Sequence, residues 1–458
     1  MRRSSLNKQN FLLGALIISA GGFISKILGA VYRIPLTAAL GGEGMGIYQM
    51  VYPLYCILLT VSASGIPTGI ARLVSSGKGE GAEKSAFMLY GTIGVIGTVV
   101  MFMLARPLAL IQGEPAITFC CQLLCPSVFF VSVLSVVRGY FQGRENMYPT
   151  AVTEVSEQAV KVALGCALAY MFRDNMPLAV ASTLFAVTLS EAIATLLAVI
   201  WYLGKRRKKP LYKTYSLNYG SILRFTIPLT FTAIALPVSQ LLESIVAVRL
   251  LRGITDNATA LYGVYSGCAV TIINLPVSIT YGLAAASVPQ ISPLAESGNI
   301  KAAKNKAYKS LLITLAISLP SALFLFFAAP LASRFIFSSL ADAEKEILTK
   351  LIKIMAVNAV TLSLVQTSSA CLTSLGKPVK STVTQWVTGL MRVGLTALLL
   401  KFTPLSIVGA AISANCCYFV ATLLNFWYII REGGRNENNV DKFGNSGGRF
   451  KFKSQIRA

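Results

Sequence analysis

The sequence predicts an all-α membrane protein with about twelve transmembrane helices, arranged as two six-helix lobes. Composition is the first reason: of 458 residues, 54% are hydrophobic and 13% charged, and the mean hydropathy is +0.65. The second reason is that apolar runs of about 20 residues, enough to cross a bilayer as a helix, recur along the chain. The third is a resemblance between segments of its two halves. We therefore expect a multi-pass protein of the cell membrane.

Twelve apolar segments are long enough to form these helices. They are 11–38, 46–74, 84–105, 117–140, 150–172, 178–203, 222–250, 258–289, 309–331, 348–372, 382–402 and 406–430. Transmembrane β-strands would instead appear as segments of about ten residues with alternating polarity. The first segment is too long for a cleavable signal peptide, so we expect it to remain as a helix.

Basic residues predict the orientation of the chain. Five polar segments carry much of the net charge of +23, and all fall on one side of the predicted bilayer: 1–10, 205–221, 301–309, 377–380 and 431–458. Lysine and arginine accumulate in cytoplasmic loops, so this side, with both termini, is predicted to be cytoplasmic. Because these charges lie next to the membrane, we expect them to contact anionic membrane lipids and not nucleic acid.

The basic segment 205–221 separates six spans from six. We predict a cytoplasmic N-terminus at 1–10, an N-lobe at 11–204, a C-lobe at 222–430 and a disordered cytoplasmic tail at 431–458, which is polar and basic. Six spans in each half give both lobes the same topology, related by a pseudo-two-fold axis along the membrane normal. Transporters with such repeats bind substrate between the lobes.

Two pairs of segments carry the repeat. Residues 153–164, TEVSEQAVKVAL, are echoed by residues 384–395, TQWVTGLMRVGL, with Lys161 and Arg392 at the same position. A second echo pairs the end of span two with the end of span eight. A charge within a membrane helix is costly and usually faces a water-filled interior. Cations at matching depths in both halves therefore indicate a pathway for an anion.

Four basic residues within the spans are the predicted substrate-binding residues. Span one carries Lys26 and Arg33, span five Lys161 and span eleven Arg392. Arginine binds phosphate through a planar fork and lysine as a point charge, so a cavity lined by all four would attract phosphate. Two alternatives concern interfacial positions: Arg33 could extend to the outer interface, and Arg138 is predicted to be an anchor at a cytoplasmic helix end.

Three acids within the spans, Glu154, Glu157 and Glu243, are predicted to form ion pairs or to bind a coupling ion. Glu157 lies one helical turn from Lys161, so these two could pair. Glu243 could pair with Arg249 or serve as a Na+ or H+ site, and the sequence leaves both alternatives open. The membrane potential is a further candidate driving force, since moving one negative charge outward across 100 mV releases about 2.3 kcal/mol.

The sequence offers no enzymatic or metal-binding motif. It contains no histidine, and its nine cysteines lie within apolar segments without a CxxC pair. The commonest general base and the common metal sites are therefore missing. An acid cluster at 342–346 precedes span ten, where acids stabilise a helix N-terminus. We predict neither enzymatic activity nor a cofactor or metal.

A set of short motifs extends over spans one to eight. They are SKILG at 25–29, YRIP at 32–35, GMGIYQ at 44–49, ASGIP at 63–67, RGYFQG at 138–143, INLP at 273–276 and VPQIS at 288–292. Together they resemble the stage V sporulation protein B group, which is related to the lipid II flippases of the multidrug/oligosaccharidyl-lipid/polysaccharide exporter superfamily. The resemblance implies a central cationic cavity, alternating access and export of an undecaprenyl-diphosphate-linked sugar. In this resemblance Arg33 matches a cavity arginine and Lys26 the basic residue before it.

Two features depart from the lipid II flippases. Span eight has Thr271 and Asn274 where those flippases have an arginine and an acid, and the sequence ends after span twelve, whereas they have two further spans that form a lipid-tail groove. Pro67, Asn274, Pro276 and Pro289 are the predicted hinge or cavity residues. Membrane helices tolerate proline where the freed carbonyl groups face protein or a cavity.

The alternative function is a multidrug or cation antiporter of the same superfamily, whose members resemble this chain in having twelve spans. Such an antiporter needs membrane-embedded carboxylates, which Glu154, Glu157 and Glu243 supply, but span one is basic and contains no acid. The sequence therefore favours a flippase that moves a lipid-diphosphate-linked oligosaccharide from the cytoplasmic to the outer leaflet. We expect it to act as a monomer.

Overall fold

The computed structural model confirms the predicted fold class. It describes the backbone of residues 2–63, 67, 70–71, 82–205, 227 and 230–443, and within these ranges it contains helices but no strand. Within the same ranges, each of the twelve predicted spans is helical. A helix satisfies all its backbone hydrogen bonds internally, which is what a bilayer requires.

The N-lobe is formed by six described helices. They are α1 (Arg2–Ala63), α2 (Ala82–Gln112), α3 (Ala116–Leu124), α4 (Pro126–Gly143), α5 (Tyr148–Met171) and α6 (Met176–Lys205). α1 supplies spans one and two as two arms that meet at Gly41, whose φ of 61° lies in the left-handed region that favours glycine. α3 and α4 together supply span four, with Pro126 in the first turn of α4.

The C-lobe is formed by seven described helices. They are α7 (Ala235–Arg252), α8 (Ala258–Tyr262), α9 (Val270–Glu296), α10 (Ile300–Leu331), α11 (Asp342–Ser374), α12 (Pro378–Phe402) and α13 (Ile407–Phe443). Two π-helical segments, Gly263–Ala269 and Ala332–Ile336, follow α8 and α10. Span eight therefore consists of α8, the first π-segment and α9.

Ten helical stretches of the described chain are long and apolar enough to cross a membrane. The first, Ala20–Ser62, contains both arms of α1 and so corresponds to two spans. α5 is not among the ten because it carries Glu154, Glu157 and Lys161. It is nevertheless 24 residues long and packs against α1 and α6. Its length and neighbours identify α5 as the fifth span.

Polar side chains cap two helices of the C-lobe. Glu344, in the first turn of α11, accepts a hydrogen bond from the backbone N–H of Ala341 at 3.1 Å. Asn299 accepts one from the backbone N–H of Ala302 at the start of α10, also at 3.1 Å. In the acid cluster at 342–346, Glu344 thus stabilises a helix N-terminus, as the sequence predicts.

The lobes contact each other mainly through α1, which packs against α7, α8, the first π-segment and α9. Glycine permits the closest approach in this contact. A Cβ atom at Gly46 would overlap the carbonyl oxygen of Thr259, and one at Gly263 would overlap the carbonyl oxygen of Gly42. Backbone therefore packs directly on backbone, near the ends of the spans that the orientation predicts to be outer.

A polar contact joins the lobes on the same side. Arg252, at the end of α7, donates hydrogen bonds to the carbonyl oxygen of Gly113 and to Glu114, whose Oε2 lies 3.1 Å from the Arg252 Nη2. The arginine side chain is 35% exposed, so the ion pair stabilises the contact by only about 0–1 kcal/mol. The lobes are thus joined on the predicted outer side by close backbone packing, by a buried hydrophobic cluster with side chains from both lobes, and by one weak ion pair.

Two predicted boundaries differ from the structure. The predicted tail starts at 431, but α13 continues as a helix to Phe443, and α1 includes the predicted N-terminus from Arg2 onward. Hydropathy locates the edge of the membrane, whereas helical hydrogen bonding can continue into polar sequence. The predicted linker at 205–221, apart from Lys205, and the rest of the tail at 444–458 lie outside the described residues.

Candidate functional site

A cavity of about 420 Å³ lies between the lobes, and we call it the central cavity. Both arms of α1 form its N-lobe wall, and α7, the first π-segment, α9, α11, α12 and α13 contribute to its C-lobe wall. Three of the four predicted cations line it: Lys26 and Arg33 from the first arm of α1, and Arg392 from α12. The structure therefore brings cations of both lobes to one cavity.

A second cavity, of about 280 Å³, lies within the N-lobe, and we call it the N-lobe pocket. Lys161 of α5 lines it together with Lys26 and Arg33, and Tyr48 and Tyr52 of the second arm of α1 complete much of its wall. Lys26 and Arg33 line both cavities, which therefore adjoin. Among the described residues that line the N-lobe pocket, none is acidic.

Arg33 contacts the opposite lobe. Its Nη1 donates a hydrogen bond to Oγ1 of Thr271 on α9 at 3.1 Å, so the side chain does not extend to the outer interface. Thr271 in turn donates to the carbonyl oxygen of Gly267 at 2.5 Å. Lys26 lies over the ring of Tyr281, also on α9. The two cations of α1 thus link the N-lobe to span eight.

Lys161 is buried, with 9% of its surface exposed, and forms no ion pair within 4 Å among the described side chains. Glu157, one turn away, pairs instead with Arg138, whose Nη2 lies 3.2 Å from the Glu157 Oε2. Arg138 also donates to Thr153 at 3.0 Å. Arg138 therefore joins α4 to α5 by an ion pair, and its role as an anchor at the cytoplasmic interface stays a prediction. Glu154, partly buried on the same helix, has no ion pair in the described part of the chain.

Arg392 is the centre of a buried network in the C-lobe. Its Nη2 lies 2.7 Å from Glu243 Oε2 of α7, and its Nε donates to Glu243 Oε1 at 2.9 Å. It also donates to the hydroxyls of Tyr265 and Tyr418, both at 2.9 Å. The Tyr265 hydroxyl donates to Glu243 Oε1 at 3.1 Å. Of the alternatives for Glu243, the structure thus shows an ion pair, formed with Arg392 and not with Arg249.

One buried acid was missed by the sequence reasoning. Glu191 of α6 is 4% exposed, and its Oε1 accepts a hydrogen bond from the hydroxyl of Tyr55 at 3.2 Å. Its Oε2 is buried without a hydrogen-bond partner among the described residues. The signal was present, because Glu191 is an acid in the middle of a predicted span.

Buried amides were missed as well. Gln49, Gln240, Asn358 and Gln366 line the central cavity, together with the predicted Asn274. Nothing in the sequence separates an amide that faces a cavity from one that pairs with the backbone inside a helix bundle. Their position on cavity-facing helices is a finding of the tertiary structure.

The predicted hinge prolines lie inside a helix. Pro276 and Pro289 both fall within α9, which remains a continuous helix, and Pro276 is buried. They can bend α9, but they do not interrupt it. Pro67 is described only as an isolated residue, so its predicted role concerns a segment outside the described residues.

The chain matches the family described as polysaccharide biosynthesis protein over residues 11–295, more than half of its length. It belongs to this family. A second family, described as MatE, matches residues 228–398. The first match covers the N-lobe with spans seven and eight, and the second falls within the C-lobe.

Two curated relatives and one solved structure agree with this membership. Stage V sporulation protein B of Bacillus subtilis (strain 168) is 27% identical over 438 residues, covering 91% of this chain and 83% of the relative. Lipid II flippase MurJ of the same organism is 22% identical, covering 92% and 83%. An inward-facing multidrug resistance MATE family transporter of the MOP superfamily matches the structure with a TM-score of 0.74 at 18% identity, covering 91% of this chain and 98% of that one.

These similarities confirm the predicted resemblance and the fold. The chain is a multi-pass cell-membrane protein of the polysaccharide biosynthesis protein family, and MurJ and the solved structure are named as a flippase and a transporter, not as enzymes. The likeness to the multidrug transporter shows the fold alone, because fold does not determine what a site binds.

Proposed function

We propose that this protein moves a lipid-diphosphate-linked oligosaccharide from the cytoplasmic to the outer leaflet by alternating access. The observation that carries the proposal is the N-lobe pocket. Three cations, Lys26, Arg33 and Lys161, line it, and none of its described lining residues is acidic. The substrates we propose are undecaprenyl-diphosphate-linked sugars, because the chain resembles the lipid II flippases.

The charges around the two cavities favour an anion. Surrounding helices lower the local dielectric constant, which strengthens the attraction of three clustered cations for a diphosphate. Arg33 supplies a guanidinium fork, and Lys26 and Lys161 supply point charges. The same cluster repels a cationic drug.

Two of the membrane-embedded acids that a cation antiporter would need already form ion pairs with arginines. Glu243 is held by Arg392 and Glu157 by Arg138. Glu154 and Glu191 form no ion pair in the described part of the chain, and with the MatE match they support the antiporter as the second candidate. We favour the flippase because neither of these two acids lines the central cavity or the N-lobe pocket.

Alternating access fits the contact between the lobes. On the predicted outer side the lobes are joined by glycine-mediated packing and by the Arg252–Glu114 pair. The partly exposed ion pair contributes only about 0–1 kcal/mol. Most of the cost of opening this contact therefore comes from the buried apolar side chains that the two lobes share. Opening it while closing the cytoplasmic side would carry a bound head group from one leaflet to the other.

The membrane potential is the proposed driving force. Outward movement of a doubly charged head group across 100 mV would release about twice 2.3 kcal/mol, if the full field were crossed. No Na+ or H+ site needs to be invoked for that direction of movement. Collapsing an inside-negative potential in sealed vesicles should slow outward lipid movement; an unchanged rate would contradict this part of the proposal.

Reconstitution tests the function directly. The full chain in sealed vesicles should expose an undecaprenyl-diphosphate-linked sugar to an impermeant reagent, and should not accumulate a fluorescent lipophilic cation. Lys26→Ala and Arg33→Ala should each slow the lipid movement, whereas Lys401→Ala, at the exposed end of α12, should not. Accumulation of the cation with no lipid movement would instead establish the antiporter.

A further inference from the structure

The C-lobe wall of the central cavity carries uncharged polar side chains on α11. Asn358 and Gln366 line the cavity together with Met355 and Leu362. Positions 355, 358, 362 and 366 follow the spacing of three and four residues that places side chains on one helix face. α11 therefore presents one stripe to the cavity, with two amides in it. The cations of α1 line the same cavity from the other lobe.

Both polar atoms of Asn358 and the amide oxygen of Gln366 lack hydrogen-bond partners among the described residues. Asn358 is 1% exposed, and neither its amide oxygen nor its amide nitrogen has a hydrogen-bond partner among the described residues. The Gln366 Oε1 is buried without a partner as well. A buried polar group left unpaired costs about 1–3 kcal/mol, and nearly all such groups in proteins are paired. Whatever occupies the cavity beside α11 must therefore offer both donors and acceptors.

Two other asparagines of the same lobe show what a structural amide does. Asn415 donates its Nδ2 to the carbonyl oxygen of Ile354 at 2.7 Å. Asn425 donates to the hydroxyls of Ser368 and Ser369 at 3.0 and 3.1 Å. Both fasten α13 to α11, and neither lines the central cavity. Asn415 and Asn425 each leave the amide oxygen unpaired among the described residues, but their amide nitrogens join two helices. Asn358 differs because neither of its polar atoms is paired and because it lines the cavity, so packing between helices does not account for it.

The chemistry of an unpaired amide identifies the ligand class. An ionised phosphate only accepts hydrogen bonds, so it can pair with an amide nitrogen but not with an amide oxygen, whereas a sugar hydroxyl group can pair with both. The phosphate-binding chemistry lies with Lys26, Arg33 and Lys161, which belong to the N-lobe. The diphosphate of a sugar-diphosphate head group thus matches the cations of the N-lobe, and its sugar matches the amides of the C-lobe.

We infer that Asn358 and Gln366 bind hydroxyl groups of the glycan and determine its recognition, while the cations of α1 and α5 hold the diphosphate. This inference rests on the proposed function and assigns its substrate specificity to α11. A site built to hydrogen-bond a hydroxyl group discriminates strongly against a ligand that lacks it, because its own buried groups then stay unpaired.

Binding measurements on the full chain in detergent test the inference with two probes. The probes are undecaprenyl diphosphate and undecaprenyl-diphosphate-linked N-acetylglucosamine. The wild-type chain should bind the sugar-bearing lipid more tightly. Asn358→Leu and Gln366→Met should each weaken that binding about tenfold and leave the affinity for undecaprenyl diphosphate unchanged. Asn358→Ala repeats the test without added volume.

Asn415→Leu is the matched control, since it removes an amide of the same lobe that does not line the cavity. It should lower stability without changing the preference for the sugar. Equal affinity of the wild-type chain for both lipids, or equal weakening of both by Asn358→Leu and Asn358→Ala, would overturn the inference. Failure of the wild-type chain to bind either lipid would instead overturn the proposed function.

Discussion

Lys161 of the N-lobe and Arg392 of the C-lobe occupy matching places in the two halves of the sequence, yet their surroundings differ. Arg392 is fixed by a bidentate ion pair with Glu243 and by two tyrosine hydroxyls. Lys161 has no ion pair among the described side chains and lines a pocket without acidic lining residues. Cations at equivalent positions of a repeat can therefore differ in their contacts. Arg392 joins helices within the C-lobe, whereas we propose that Lys161 binds an anionic substrate.

Breaking the C-lobe ion pair is expected to have the largest effect. Arg392→Met leaves Glu243 buried without its partner and should lower the free energy of unfolding by about 3–5 kcal/mol, because an uncompensated buried charge is costly. Unfolding of the purified chain in mixed micelles measures this. Adding Glu243→Leu removes the buried acid that has lost its partner, and should recover most of the lost unfolding free energy. A double variant as unstable as the single one would show that the pair does not act as a unit.

Removing one hydroxyl from each lobe compares their buried networks. Tyr265→Phe loses hydrogen bonds to both members of the Arg392–Glu243 pair and should cost about 1.5–3 kcal/mol of unfolding free energy. Tyr55→Phe loses only the hydrogen bond to Glu191 and should cost about 1 kcal/mol. The same unfolding assay measures both. Equal costs would contradict the view that the C-lobe network is the stronger one.

The smallest effect on stability is expected at Lys161. Lys161→Met keeps an apolar stem of similar length and removes a cation that has no ion pair in the described part of the chain, so the free energy of unfolding should change by less than about 1 kcal/mol. Movement of the diphosphate-linked lipid in vesicles should nevertheless fall, by about tenfold, because the pocket loses one of three cations.

Lys401→Met is the matched control for that experiment, since it removes an exposed lysine at the end of α12. It should change neither stability nor lipid movement. If Lys161→Met lowered stability as much as Arg392→Met does, Lys161 would be a structural cation, and the contrast between the lobes would be lost.

Individual residues show how far prediction from sequence extends. Hydropathy located α5 in spite of its three charges, and the echo of 153–164 in 384–395 located Lys161 and Arg392. The partner of Arg392 could not be predicted from the sequence, because Glu243 lies 149 residues away on a helix whose contacts depend on lobe packing. The ion-pair partner of Glu157 could not be predicted either, because it too depends on how neighbouring helices pack. Spacing along α5 brings Lys161 within one turn, but the neighbouring α4 offers Arg138.

The membrane location, the spans, the two halves and the depth of each charge can be predicted from the sequence alone. These follow from the cost of placing polar groups in hydrocarbon, which acts on each segment separately. Which charges neutralise each other, which cations line a cavity and which described amides stay unpaired are known only from the tertiary structure. Those properties depend on distances of a few ångströms between helices, and packing sets such distances.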